Sequence, residues 1–338
     1  MKAIQITENG KTEIVAIEKP ALKPGHILLK VEYVGFCGSD LNTFRGLNPL
    51  VKLPIIPGHE IGAVVEAVAD DVACNIKPGM NATVNPYTSC GHCPACLNSR
   101  PNACEFNQTF GVQRDGAMSE YLLVPAGKVI ADESISVRDF ALVEPLSVGF
   151  HAVDRAKVTD IDTVMVIGCG MIGLGAIVRA AIRGAKVMAV DVDDKKLNLA
   201  KQLGAQYAIN SQKENLHERI AEITCKRGAD VIIEAVGRPE TYIASVSEVA
   251  FTGRIVYVGY AKEKVPFDTQ YFVKKEVDIL GSRNAIPCDF RAVMEYMKKG
   301  TCPVDKLITA VYPPEEAQTA LEKWTENPGD VFRILIRF

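Results

Sequence analysis

Hydrophobic and polar positions change rhythm along the chain. In its first part, short apolar runs alternate with polar residues and are cut by glycine and proline. Ile27 to Val34 alternates before Gly35-Phe36-Cys37-Gly38-Ser39-Asp40, and Pro57-Gly58-His59-Glu60 leads into the apolar run Ile61 to Val68. Alternation over such short runs predicts strands joined by tight turns. From Thr163 the pattern differs. Thr163 to Ile167 is an uninterrupted, β-branched-rich apolar run; Gly168-Cys169-Gly170-Met171-Ile172-Gly173 follows, and apolar residues then recur at helical spacing to about Ala185. The pattern next predicts a strand at Lys186 to Val190, a helix at Asp193 to Leu203, a strand near Tyr207 and a helix from about Leu216 to Cys225. A strand at Val231 to Ala235, a helix through Val249 and a strand at Arg254 to Val258 complete it. Each step fits a βαβ unit, so this part is expected to form a doubly wound parallel sheet with helices on both faces. The alternation starts and stops near Gly149 and Arg283, where domain boundaries are expected.

Composition narrows the class. A chain of 338 residues exceeds the usual single-core size, so two domains are expected. With 48% apolar and 23% charged residues it reads as an ordinary globular protein, and a formal net charge of −3 offers no field for a nucleic-acid backbone. The most apolar stretch, Thr163 to Val178, holds four glycines. It is shorter than the ~20 residues that span a bilayer. Met1 to Val15 lacks the apolar core of a secretion signal, so neither membrane nor export is expected, and the cytoplasm is.

Ten cysteines in a long chain without export features read as thiols rather than a disulfide framework. Cys90, Cys93, Cys96 and Cys104 follow the spacing C-x-x-C-x-x-C and then a longer step, with Gly91, Pro94 and Pro101 turning the chain between them. Four thiolates so close together can wrap one tetrahedral zinc. A closed tetrathiolate leaves no position for substrate, so this zinc is expected to be structural. Two other turns carry scattered ligand types. Cys37 and His59, joined with Glu144 of Glu144-Pro145-Leu146-Ser147, can close round a second ion. Taken singly, they read equally well as a buried thiol, a structural histidine and a capping acid.

The glycine run after the Thr163 strand is the strand–turn–helix arrangement in which backbone amides and a helix N-terminus receive a pyrophosphate. Gly168 is expected to make the tight turn, Gly170 to admit the phosphates beside Met171 and Ile172, and Gly173 to let the helix approach. Asp191 ends the next strand, where a carboxylate accepts from ribose hydroxyls and repels a 2′-phosphate, so NAD is expected over NADP. Its other reading is a helix cap. Val236-Gly237 and Val258-Gly259 close two later strands, where the dinucleotide is expected to cross the sheet.

Taken together, these motifs resemble, in order and approximate spacing, the zinc-containing medium-chain dehydrogenases, over essentially the whole chain. The resemblance implies an α/β architecture of two parts. A GroES-like, β-rich catalytic domain would comprise 1–149 and 284–338, and a Rossmann NAD-binding domain 150–283. It implies two zincs per chain, the catalytic one held by Cys37, His59 and an acid, with Glu60 and Glu144 sharing the roles of direct ligand and holder of the zinc-bound water. Ser39 would take the departing proton, and Asp40 would orient the histidine. Glu144 stands where liver-type enzymes carry cysteine, which makes the chain resemble the sorbitol, threonine and sugar-acid branch. Phe272 to Ala285 and Asn85 to Gly116 resemble L-galactonate and L-gulonate 5-dehydrogenases, which oxidise the C5 hydroxyl of an aldonate. A carboxylated substrate needs a cation, and Arg45, Arg114 and Arg283 are candidates, Arg283 also for the cofactor. Polyol or threonine oxidation is the alternative within enzymes. A fold that has lost turnover is argued against by the intact Cys37, Ser39, His59, Glu60 and Glu144. Strands near Val256 and Val277 can extend the sheet across a two-fold axis, and the resemblance favours a homodimer or homotetramer.

Overall fold

Strand formation in the N-terminal part follows the alternation of its sequence. In the computed structural model, which describes residues 1–338, β1 (Lys2–Glu8) and β2 (Lys11–Ala16) make an antiparallel pair. Five further strands follow: β3 (His26–Phe36), β4 (Glu60–Val68), β5 (Asn81–Val84), β6 (Tyr121–Pro125) and β7 (Val129–Ala131). β3 is the centre of this sheet. It pairs antiparallel with both β4 and β6, and buries Ile27, Leu29, Val31, Val34 and Phe36 while leaving Lys30 exposed.

The middle of the chain builds β8 (Thr163–Ile167), β9 (Lys186–Asp191), β10 (Tyr207–Asn210), β11 (Ala229–Glu234), β12 (Val249–Tyr257) and β13 (Asp278–Gly281). They form one parallel sheet in the order β10-β9-β8-β11-β12-β13. Val164, Met165, Val166 and Ile167 of β8 are all buried, as a strand covered on both faces requires. The strand order reverses between β8 and β11, and in open α/β sheets ligands bind at that crevice. The chain then adds β14 (Ala310–Tyr312) and β15 (Ile334–Arg337). β15 pairs with β3, so the C-terminal segment completes the first sheet.

Two compact units result: Met1–Pro145 with Ile286–Phe338, and Leu146–Ala285. Each has its own core. One gathers Ile4, Ile27, Phe36, Ile61, Met118 and the C-terminal Leu321 and Trp324; the other gathers Met165, Met188, Ile209, Ile232 and Ile255. The division falls at Pro145 rather than Gly149: the helix Val143–Arg155 passes from one unit into the other, and its residues from Leu146 on belong to the second. Gly149 packs on the backbone of the helix Met171–Ile182, where a Cβ would lie 2.2 Å from the Ile172 carbonyl oxygen. At the other end, Arg283 still follows β13 within the second unit, and the first resumes at Ile286. No helix is long and apolar enough to cross a membrane.

Candidate functional site

Backbone register brings the first group of side chains together. In the β3–β4 ladder Gly35 stands opposite Glu60, so Cys37, just past one strand, and His59, just before the other, emerge at the same end. Glycine at position 35 leaves the Glu60 carboxylate its place. A Cβ there would sit 2.2 Å from Glu60 Oε2. Cys37, His59 and Glu60 present ligand atoms within 4.8 Å of one another. Cys37 caps the helix Gly38–Phe44, and its Sγ lies 2.7 Å from Ser39 Oγ and accepts the Ser39 N–H at 3.2 Å.

Glu144 is buried outside that trio and accepts a hydrogen bond from the Tyr87 phenol. Glu60, rather than Glu144, therefore completes the trio, while the Glu144 charge acts on both His59 and Glu60. Arg333, at the entry to β15, donates to the Phe36 carbonyl at 2.7 Å. It also sets its Nε 3.0 Å from Glu60 Oε2, close enough for an ion pair though not aligned as a hydrogen bond. Asp40 does not hydrogen-bond the histidine. One of its oxygens accepts the Cys37 N–H at 2.8 Å to close a capping box, and the other is buried without a partner.

Burial is the largest influence on this cluster. It pushes the Cys37 thiol up and Glu60 up to about 8, Arg333 opposing and Glu144 reinforcing the latter. Burial alone would lower His59, but the charges of Cys37, Asp40 and Glu144 raise it well above the ordinary imidazole range. His59 Nδ1 and Glu60 Oε2 are buried without a hydrogen-bond partner. Such atoms cost about 1–3 kcal/mol each when left unmet. A cation among one sulfur, one imidazole and one carboxylate satisfies them, and this donor set suits zinc.

The four-cysteine loop fits zinc on independent grounds. Cys90 and Cys96 sulfurs are 4.0 Å apart and Cys93 and Cys104 sulfurs 3.8 Å, with all four within 4.8 Å. Thiolates on a tetrahedron with bonds of about 2.3 Å are separated by about 3.8 Å, whereas a disulfide needs about 2.05 Å. Backbone N–H groups point inward as well: Cys93 donates to Cys90 and Cys90 to Cys104, both at 3.3 Å. N–H groups of Cys96 and Glu105 hold the Cys93 thiol down at about 6, which favours the thiolate a metal needs.

In the second unit, Gly168 adopts φ +92°, and a Cβ on Gly173 would lie 1.7 Å from the Gly168 carbonyl oxygen. The turn therefore closes only with glycine at both places. Gly170 caps the helix Met171–Ile182 without a side-chain cap and has nothing near its Cβ direction, leaving the first-turn N–H groups to an anion. Asp191 ends β9, and its carboxylate accepts N–H groups from Cys169, Val192 and Asp193 at 2.6, 2.7 and 3.0 Å. The cap of the next helix is Asp193, not Asp191. Val236-Gly237 and Val258-Gly259 follow β11 and β12, and a Cβ on Gly259 would lie 2.3 Å from Gly237 N. Replacing Asp191 by Ala is expected to shift the NADP-to-NAD preference about tenfold or more toward NADP, since hydrogen bonds to a charged group are worth about 1.5–3 kcal/mol. Equal loss with both cofactors, measured as kcat/KM, would leave Asp191 a turn residue only.

Three residues were not singled out from the sequence. Arg333 and Glu234 had one signal, a charge inside an apolar strand run; Tyr87 had none. Glu234 is buried at the end of β11, and one of its oxygens accepts from Val236 N, Gly237 N and Thr241 Oγ1 at 2.8–2.9 Å, fixing the loop that was expected to meet the dinucleotide. Of the candidate cations, Arg45 is exposed at the end of the helix Gly38–Phe44. Arg114 is half-buried in the first unit, and Arg283 half-buried in the second.

A doubly wound sheet with a glycine turn for pyrophosphate, and a buried Cys-His-Glu set beside a serine hydroxyl, define a dinucleotide-linked, metal-dependent oxidoreductase. Comparison with known proteins agrees. The alcohol dehydrogenase GroES-like domain family matches residues 23–133, and the zinc-binding dehydrogenase family matches 172–299. L-galactonate-5-dehydrogenase of Escherichia coli K12 is 31% identical over 95% of this chain and 94% of its own. Sorbitol dehydrogenase of Bacillus subtilis is 30% identical over 99% and 97%. The rspB alcohol dehydrogenase of E. coli CFT073, solved with NADH, superposes with a TM-score of 0.92 at 31% identity, covering 100% of this chain and 99% of that one. The chain belongs to the zinc-type medium-chain alcohol and polyol dehydrogenases, NAD-dependent oxidoreductases that act on CH–OH donors.

Proposed function

We propose that this protein oxidises a secondary hydroxyl of a small sugar acid, the C5 hydroxyl of L-galactonate or L-gulonate, using NAD in the cytoplasm. The observation that supports oxidation of a hydroxyl here is the Cys37–His59–Glu60 donor set with the Ser39 hydroxyl 2.7 Å from the Cys37 sulfur. Cys37, His59 and Glu60 would hold the catalytic zinc, and Cys90, Cys93, Cys96 and Cys104 the structural one. Zinc supplies Lewis acidity that makes a substrate hydroxyl far more acidic, and NAD accepts the electron pair.

The protein's own groups do the rest. Ser39 receives the hydroxyl proton and passes it on. Arg333 opposes the rise that burial imposes on Glu60, favouring its charged form. Tyr87 fixes Glu144, which keeps negative charge near His59 without occupying the trio. Arg114 or Arg283 would receive the substrate carboxylate, Arg283 alternatively the cofactor; the exposed Arg45 is the weakest of the three candidates.

Similarity to the L-galactonate enzyme supports the sugar-acid reading, and similarity to the sorbitol enzyme supports a neutral-polyol reading equally. A panel of aldonates, polyols and threonine, followed by NADH absorbance, separates them. The expected result is a kcat/KM for an aldonate at least about tenfold above that for any polyol, about 1.4 kcal/mol of discrimination. A polyol at the top of the panel would replace the sugar-acid reading. The edge strand β13, with Ile279 exposed, would continue the sheet into a second copy across a two-fold axis, giving a homodimer or homotetramer.

A further inference from the structure

Two cations of the first unit are anchored to one short segment, and neither forms an ion pair with an acid. Lys128 and Arg114 are both half-buried. Both are attached to the short segment that leaves β5. The Lys128 carbonyl accepts the Asn85 N–H at 2.8 Å, and its ammonium donates to the Tyr87 carbonyl at 2.6 Å. Phe110 donates its N–H to the Pro86 carbonyl at 3.2 Å, and the Arg114 guanidinium stacks 3.7 Å from the centre of the Phe110 ring.

Neither cation has an ion-pair partner in the protein, and Arg114 Nε is buried with no hydrogen-bond acceptor. Burial lowers the pKa of both, and the Arg114 charge lowers Lys128 further. Half-burying two like charges anchored to one short segment is unfavourable unless something negative compensates them. In this fold no side chain supplies it.

The pair is fastened to the candidate metal centre from two directions. Tyr87, whose carbonyl receives Lys128, gives its phenol to Glu144. The turn that carries Arg114 is locked onto the residues just before His59: Gly116 donates to the Ile56 carbonyl at 2.7 Å, Ala117 to Gly58 at 2.9 Å and Met118 to Pro57 at 3.0 Å. A Cβ on Gly111 would lie 2.5 Å from Gly58 N.

We propose that Arg114 and Lys128 form an oxyanion site that receives the anionic terminus, carboxylate or phosphate ester, of the polyhydroxylated substrate. The inference rests on the reading of the substrate given above and deepens it. The guanidinium offers a planar fork and the ammonium a point charge, so the pair neutralises up to two negative charges, and a phosphate dianion binds more tightly than a carboxylate.

Inorganic phosphate is the direct probe. Calorimetric titration of the full-length, zinc-loaded protein is expected to show saturable binding that Arg114→Gln and Lys128→Met each weaken about tenfold, with Arg114→Lys recovering part of it. Unchanged zinc content and melting temperature in the variants show that the fold is kept. In a kinetic arm, the ratio of kcat/KM for an aldonate to that for a neutral polyol is expected to fall about tenfold in either variant, the loss of one charge-assisted contact. Phosphate binding that neither substitution weakens, or an aldonate preference that neither changes, overturns the site while leaving the sugar-acid reading intact. Phosphate binding that both variants lose, in a protein that oxidises only neutral polyols, upholds an oxyanion site and overturns the sugar-acid reading instead.

Discussion

Replacing His59 by alanine is expected to cut turnover at least about a thousandfold, because Lewis acidity supplies several kcal/mol and each 1.36 kcal/mol is tenfold in rate. The bound zinc is expected to fall from two per chain, one for each ligand cluster, to one. The size of the effect follows from the site. His59 is buried beside Cys37 and Glu60, and without it only one thiol and one carboxyl of the trio remain to hold a cation. NADH binding, followed by fluorescence, is expected to survive, because His59 belongs to the first unit and the glycine turn at Gly168 to the second. A variant that keeps both zincs and turns over at the parent rate would remove the catalytic centre proposed above.

The second large effect is structural. Replacing Cys104 by serine removes one corner of the four-sulfur cluster, at a position with no exposed surface. Structural zinc binding is worth about 10–16 kcal/mol in small zinc domains, and its loss leaves three thiols with no partner of comparable strength. Only part of that reaches global stability, because the loop can unfold locally while β3 and β4 hold their own core. The expected change is a drop in melting temperature of about 10 °C, corresponding to about 3–5 kcal/mol for a unit of this size. Loss of one zinc per chain and faster proteolysis within 85–116 should accompany it. Metal analysis and limited digestion check both. An unchanged zinc count and melting temperature would show that the loop stands without metal.

Much of this is legible in the sequence. The glycine turn could be read because a pyrophosphate-binding strand–turn–helix demands glycine at fixed offsets, and steric conflict at Gly168 and Gly173 leaves no other residue. The four-cysteine cluster was equally legible, since its sulfurs lie in one short stretch whose spacing limits the shapes it can take. The parallel sheet followed from the alternation of apolar runs and helical periods, and its strands fall within a few residues of the expected limits.

What the tertiary structure alone decided involves partners far apart in sequence. That Glu60 groups with Cys37 and His59 follows from the β3–β4 register, and Glu144, outside the trio, accepts from the Tyr87 phenol. Arg333 reaches Glu60 only because β15 returns to pair with β3, and Lys128 reaches the Tyr87 carbonyl only where the segment leaving β5 passes it. Asp40, expected beside the histidine, was drawn instead into capping its own helix. Local chemistry is written in neighbouring residues and can be read from them; a charge's partner is set by how strands register and close. That depends on the packing of the entire chain and not on any one motif.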